Sequence, residues 1–123
     1  MTTAAIHLDG RVHYDLGPID RIPPGEGQTY VVAGREIAVF RSRRTDELFA
    51  TQARCPHKQG LLADGIVGDG KVICPLHSYK FDLATGTPLG NECRSLETYR
   101  IQATSDGRVL LWLAPAGGWS APA

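Results

Sequence analysis

Long hydrophobic runs are missing from this sequence. No stretch approaches the ~20 consecutive apolar residues that cross a bilayer as a helix. The opening "MTTAAIHLDG" has neither the basic start nor the apolar centre of a secretory signal, so the expectation is a soluble, cytoplasmic protein with no membrane association. An excess of one charge is missing too. Thirteen Lys and Arg face thirteen Asp and Glu, which speaks against a nucleic-acid partner, since that would call for a basic surplus. Cysteine is scarce and odd in number, at three, so no disulfide framework is expected. In a reducing compartment, cysteines close to histidines read as ligands or catalysts. Helical periodicity is nearly absent. "PIDRIPPGEG" (18 to 27) has room for one turn before Pro23, Pro24 and Gly25 stop it.

What is present is turn chemistry and short strands. Fourteen glycines and eight prolines punctuate runs rich in β-branched and aromatic residues. "RVHYDL" (11 to 16), "QTYVVA" (28 to 33), "REIAVFRS" (35 to 42), "LFATQA" (48 to 53) and "YKFDL" (79 to 83) read as strands. "GIVGDGKVIC" (65 to 74) reads as a hairpin around Asp69-Gly70, and "LETYRIQATSDGRVLLWL" (96 to 113) as another around Asp106-Gly107. In the last arm Val109, Leu111 and Leu113 alternate with Leu110 and Trp112, so both faces are apolar and the strand is expected to be central. The 123 residues, 42% hydrophobic, make one all-β domain, a sandwich or barrel. Residues 1–10 and 114–123 read as loose tails, with Trp119 an exposed ring.

The chemistry concentrates in two short stretches. "CPHKQG" (55 to 60) sets Cys55 two residues before His57, and "CPLHSY" (74 to 79) sets Cys74 three residues before His77. Residues i and i+2 of an extended segment share a face, and residues i and i+3 meet across a tight turn. Pro56 and Pro75 stiffen the two loops. The sixteen intervening residues contain the predicted hairpin, which returns the chain to its start and sets the loops side by side. Four donors then surround one centre. Zinc is one occupant to weigh, but structural zinc sites usually collect their cysteines in one knuckle and their histidines in another. One cysteine and one histidine from each loop suits a [2Fe–2S] cluster with thiolates on one iron and imidazoles on the other. Two ferric ions and two sulfides carry a charge of plus two, which two thiolates cancel and neutral imidazoles leave alone. An electron enters a neutral site more easily than a dianion, so histidine ligation raises the potential, into a span of about −150 to +300 mV.

This pattern resembles Rieske-type ferredoxin domains. The resemblance implies an all-β, Rieske-type fold: an antiparallel β-sandwich or barrel over residues 11–113, with a small cluster-binding subdomain at about 54–90. It implies one [2Fe–2S] cluster per chain, with Cys55 and Cys74 on the inner iron, His57 and His77 on the outer iron, and electrons leaving past the histidine edges. The two extra cysteines of respiratory relatives are replaced here by Gly60 and Leu76. The serine and tyrosine associated with high potential are replaced by Tyr79 and Phe81. A potential at the low end of the range is expected. "TGTPLG" (85 to 90) resembles the family's shielding third loop, and Gly60, Gly86 and Gly90 are expected to permit close loop approach.

Over residues 12 to 113, "GREIAVFR", "CPHKQGLLADGIVGDGKVICPLHSYKFDLATG" and "ECRSLETYRI" resemble most closely the small subunit of NAD(P)H-dependent nitrite reductase. That resemblance implies a large partner subunit holding flavin, a [4Fe–4S] cluster and sirohaem, where nitrite becomes ammonium in nitrate assimilation. It gives this chain an electron-transfer role without a catalytic residue or substrate site of its own. The alternative is the ferredoxin of an aromatic-ring dioxygenase, which shares the ligand pattern. A third possibility is a structural or sensing cluster without electron flow.

The remaining features read more plainly. Cys93 reads as a small buried apolar residue, and His7 and His13 as incidental. Lys58, Gln59, Ser78 and Tyr79 flank the ligands as candidate hydrogen-bond partners of the cluster sulfurs. The basic stretch 35 to 58 (Arg35, Arg41, Arg43, Arg44, Arg54 and Lys58 against Glu36, Asp46 and Glu47) reads as a solvated arginine-rich turn rather than a docking surface.

Overall fold

The computed structural model describes residues 5–8, 11–56, 60–75 and 79–113. Eleven strands run β1 (Ala5–Leu8), β2 (Arg11–Pro18), β3 (Gly27–Val32), β4 (Arg35–Arg41), β5 (Leu48–Gln52), β6 (Ile66–Gly68), β7 (Lys71–Ile73), β8 (Lys80–Asp82), β9 (Pro88–Leu89), β10 (Thr98–Ala103) and β11 (Arg108–Leu113). Seven of them form one antiparallel sheet in the order β1-β2-β11-β10-β5-β4-β3, curled into a near-closed barrel. The other four, β6-β7-β8-β9, form a small antiparallel sheet inserted between β5 and β10 in the chain. The all-β expectation holds, as does the pair of hairpins. Asp69 and Gly70 both take left-handed φ, of 52° and 72°, as a two-residue type I′ connection requires. The last strand, β11, is central, between β2 and β10.

The barrel core is made of Leu16, Tyr30, Val32, Ile37, Val39, Leu48, Ala50, Val109, Leu111 and Leu113, with Ile22 from the loop after β2. A second core lies outside the barrel wall: Ala38, Phe40, Cys55, Leu62, Val72, Cys74, Phe81, Leu83 and Leu96. Strand β4 serves both. Its residues 37 to 40 are all fully buried, and alternation sends Ile37 and Val39 into the barrel, Ala38 and Phe40 into the second core. That is why "IAVF" (37 to 40) reads as an unbroken apolar run without lying in a parallel sheet.

Three local features differ from the sequence reading. Ala5–Leu8, inside the stretch read as a loose tail, pairs with β2 in the register Ala5↔Tyr14 to Leu8↔Arg11. Backbone pairing, which leaves little trace in side-chain pattern, makes that strand. The predicted single turn after β2 is a 3₁₀ turn at Ile19–Arg21, and a second 3₁₀ turn at Leu62–Asp64 has no counterpart in the reading. The arginine-rich stretch is not merely solvated. Arg41 donates to the Asp46 carboxylate at 3.0 Å and to the Ile22 carbonyl at 3.0 Å, stitching β4 to the loop beyond β2. Arg54 grips Glu36 through two bonds, at 2.8 and 3.2 Å, and Arg35 lies over the Tyr99 ring. Residues 114–123, including Trp119, lie outside the described residues.

Candidate metal centre

Two hairpin-like loops face the second core, each carrying one cysteine. In the first, the Cys55 N–H donates to the Gly60 carbonyl at 2.8 Å, and the Leu62 N–H donates to the Ala53 carbonyl at 2.9 Å. In the second, the Cys74 N–H donates to the Tyr79 carbonyl at 2.7 Å, extending the ladder that pairs Ile73 with Lys80. Each loop is thus closed by the same bond, from the cysteine N–H to the carbonyl five residues on. The equivalence follows from the shared Cys-Pro start. Proline after cysteine keeps the cysteine extended and removes one donor from the loop's interior.

The two sulfur-bearing residues are the most deeply buried polar-capable groups of the site: Cys55 is 0% exposed and Cys74 1%. They share one apolar cluster with Phe40, Leu62, Val72, Phe81 and Leu83, and neither is in a disulfide. A pair of thiols placed by two pinched loops against an apolar wall suits a soft metal that takes thiolate ligands. The donor set present therefore fits the thiolate end of an iron–sulfur cluster. His57 and His77 lie outside the described residues, as do Lys58, Gln59 and Ser78. Tyr79 is half-buried against the second core, and its backbone carbonyl closes the second loop.

Behind the loops the chain is held by close backbone contacts. Gly86 has φ +79°, and a Cβ there would sit 2.2 Å from the Leu96 carbonyl oxygen. The Leu96 N–H in turn donates to the Gly86 carbonyl at 2.8 Å. Only glycine meets both demands. Gly65 is held the same way, since a Cβ there would stand 2.1 Å from the Ile73 carbonyl oxygen. Asp82 builds the turn of "FDLATG": its Oδ1 accepts from the Ala84 and Thr85 N–H groups at 2.9 and 3.2 Å. The flanking Phe81 and Leu83 thereby both point into the second core.

The sequence reading missed Asn91. Its Oδ1 accepts from the Cys93 N–H at 3.0 Å, and its Nδ2 donates to the carbonyls of Lys80 at 3.1 Å and Leu89 at 3.3 Å. The signal was a glycine followed by asparagine in "PLGNEC", a turn-forming pair. Cys93, expected to be buried, is half-buried and packs against the second core. Burial pushes its thiol up from the ordinary value, and the neighbouring Cys55 sulfur adds to that rise. His13 is far from incidental in packing: it is 2% exposed, with the Trp112 ring 5.1 Å away on the adjacent strand. Among the described residues, no helix is long and apolar enough to cross a membrane.

The Rieske-like [2Fe-2S] domain family matches residues 13–111. The ferredoxin subunit of anthranilate 1,2-dioxygenase from Burkholderia cepacia is 43% identical over 75 residues, which is 61% of this chain and 68% of that one. Among solved structures, a Mycobacterium tuberculosis chain assigned as an NADH-dependent nitrite reductase small subunit superposes with a TM-score of 0.78 at 24% identity. The match covers 86% of this chain and 98% of that one, and it speaks to the fold. A chain assigned as the small subunit of an NADPH nitrite reductase superposes with a TM-score of 0.72 at 29% identity, covering 83% and 98%. Two pinched Cys-Pro loops, a shared thiol-bearing core beside a near-closed barrel and these likenesses lead to one conclusion: this chain belongs to the Rieske-like [2Fe–2S] domain family, and its cofactor is a Rieske-type [2Fe–2S] cluster.

Proposed function

We propose that this chain is the electron-transfer small subunit of an NAD(P)H-dependent nitrite reductase, with Cys55 and Cys74 on the inner iron and His57 and His77 on the outer iron of its cluster. The cluster, when bound, takes up and releases one electron at a time. The protein's own part is to shelter the thiolate end. Cys55 and Cys74 lie beneath an apolar wall, and the loop closures hold their backbones, so little reorganisation accompanies a change of charge. The backbone likeness to a nitrite reductase small subunit across 98% of that subunit's length carries the reading. It agrees with the stretches around both loops that resemble such subunits in sequence. The partner is a large subunit holding flavin, a [4Fe–4S] cluster and sirohaem, the site of nitrite reduction to ammonium.

A second reading has its own support. The 43% identity to a dioxygenase ferredoxin favours a free carrier that serves a ring-hydroxylating oxygenase. Affinity capture of the tagged, cluster-loaded chain from its native host separates the two. Retention of a large sirohaem flavoprotein, with nitrite-dependent oxidation of NADH or NADPH in the eluate, is the expected result. A monomer that captures no such protein and is reduced by a separate flavoprotein reductase overturns the nitrite reading in favour of the second.

A further inference from the structure

The small sheet has two faces, and the second core uses one of them. Val72 and Phe81, opposite each other on β7 and β8, are fully buried in that core, and Val67 packs against it from β6. Alternation sends their chain neighbours to the other side. There the register sets Ile66, Ile73, Lys80 and Leu89 abreast, one from each strand in sheet order. Ile66 is 70% exposed, Lys80 is exposed, and Ile73 and Leu89 are half-buried. Three apolar side chains thus flank one cation. The row lies at the foot of the second cysteine loop: Ile73 directly precedes Cys74, and Lys80 follows Tyr79, whose carbonyl closes that loop.

Among the described residues, the other exposed large hydrophobic side chain is Val31, at 65%. Its surroundings differ, because its cross-strand neighbour is Glu36, which Arg54 grips. A lone exposed apolar residue among charges is ordinary. An apolar row holding one charge has the make-up of an interface centre. Among the described residues, Lys80 is in no ion pair. Asp82, further along the same face, stands opposite Lys71, and its Oδ1 accepts from the Ala84 and Thr85 N–H groups. We propose that this row is the docking surface for the redox partner, whose matching face is an apolar patch with a carboxylate set opposite Lys80. The proposal rests on the electron-transfer reading above and adds where the partner sits and what its surface carries. Burial of Ile66, Ile73 and Leu89 supplies affinity, and the Lys80–carboxylate pair fixes orientation. A partner seated there lies against the loop that carries Cys74 and His77.

The test measures binding of the cluster-loaded chain to the purified large subunit of nitrite reductase from the same host, by titration calorimetry at several sodium chloride concentrations. Ile66→Glu and Lys80→Glu should each weaken binding at least about tenfold, with iron content and visible spectrum unchanged. Added salt should weaken wild-type binding, and Lys80→Glu should flatten that dependence, whereas Lys80→Arg should keep the wild-type affinity. Val31→Glu, at a similarly exposed site on the larger sheet, should stay within about twofold of wild type. Carbodiimide coupling of the complex should join Lys80 to an aspartate or glutamate of the partner, identified by peptide mass. Wild-type affinity in both glutamate variants, or coupling through Lys58 alone, overturns the docking face and leaves the nitrite reading intact. If the chain ignores that subunit but binds a ring-hydroxylating oxygenase with the same losses, the nitrite reading falls and the docking face stands. Binding to neither overturns both. A wild-type dimer that Ile66→Glu turns into a monomer assigns the row to a second copy of the chain and overturns the proposal.

Discussion

The barrel draws its buried side chains from β2, β3, β4, β5 and β11, and all but Ile22 sit in regular strand. Apart from Ala38 and Phe40 on β4, the second core draws its own from loops, a 3₁₀ turn and three-residue strands, and it includes two cysteines. The barrel is thus a conventional hydrophobic core, closed by ladders that join distant parts of the chain. The small sheet is too short to stand alone, and it leans on the outer face of β4 through Ala38 and Phe40. What the comparison teaches is that one strand couples two cores of different make: a layer of loops and short strands is mounted on a barrel of longer ones.

The largest expected effect is confined to the mounted layer. Cys74→Ser should abolish the visible spectrum and the iron content. Hydrogen exchange should then lose protection in β6 to β9 while β2, β10 and β11 stay protected. Full retention of iron with a native spectrum would show that the ligands have been misassigned. Next come neighbours on β4 that belong to different cores. Ile37→Ala should cost about 2–5 kcal/mol and Phe40→Ala about 3–5 kcal/mol in global stability. Iron retention should fall with Phe40→Ala and hold with Ile37→Ala, measured by denaturant unfolding alongside metal analysis. Third, Gly86→Ala forces a left-handed φ and a clash with the Leu96 carbonyl. It should cost roughly 1–3 kcal/mol and speed alkylation of Cys93 as the clamp opens. Fourth, the midpoint potential of the loaded chain should fall at the low end of the Rieske range, below about +150 mV, by redox titration.

The smallest effect belongs to the barrel. Asp15 accepts from the Gly17 N–H at 2.9 Å and from Arg108 Nε at 2.7 Å, where the register between β2 and β11 shifts. The Arg108 hydrogen bond holds the Asp15 carboxyl below its ordinary value of 3.8. Because the folded value is the lower one, the contribution is complete above that ordinary value. It is lost as pH falls through the depressed one. For a pair this exposed it amounts to about 0.5 kcal/mol. Asp15→Asn should therefore lower stability by that amount at neutral pH, with the difference fading in acid, as followed by thermal melts at several pH values.

The strands of the barrel were legible because alternation and turn residues are local signals. "VHYDL" carries period two, "RVLLWL" is apolar on both faces as a central strand should be, and Asp106-Gly107 marks a barrel turn as plainly as Asp69-Gly70 marks one of the small sheet. The cysteines were legible because each stands in a Cys-Pro loop beside a histidine, a spacing with few uses. Strand β1, the 3₁₀ turn at Leu62–Asp64 and the two-residue β9 escaped notice. Each is too short, or too dependent on backbone pairing, to show a period. Asn91 escaped because an asparagine in a turn usually serves its own backbone, whereas this one also reaches β8.

The sequence by itself determined the chemistry: soft and imidazole donors in two stiffened loops, strand-length segments between turns and balanced charge. These are properties of residue type and near-neighbour spacing, where sterics and turn geometry act. Only the tertiary structure decided that β4 divides its faces between two cores, that Cys55 and Cys74 share one of them, and that Cys93 packs against that same core. Those outcomes depend on pairings between segments far apart in the chain, such as β5 with β10, and on side-chain volumes that pack against one another. No local pattern carries that information, because the stabilisation comes from burying both partners together.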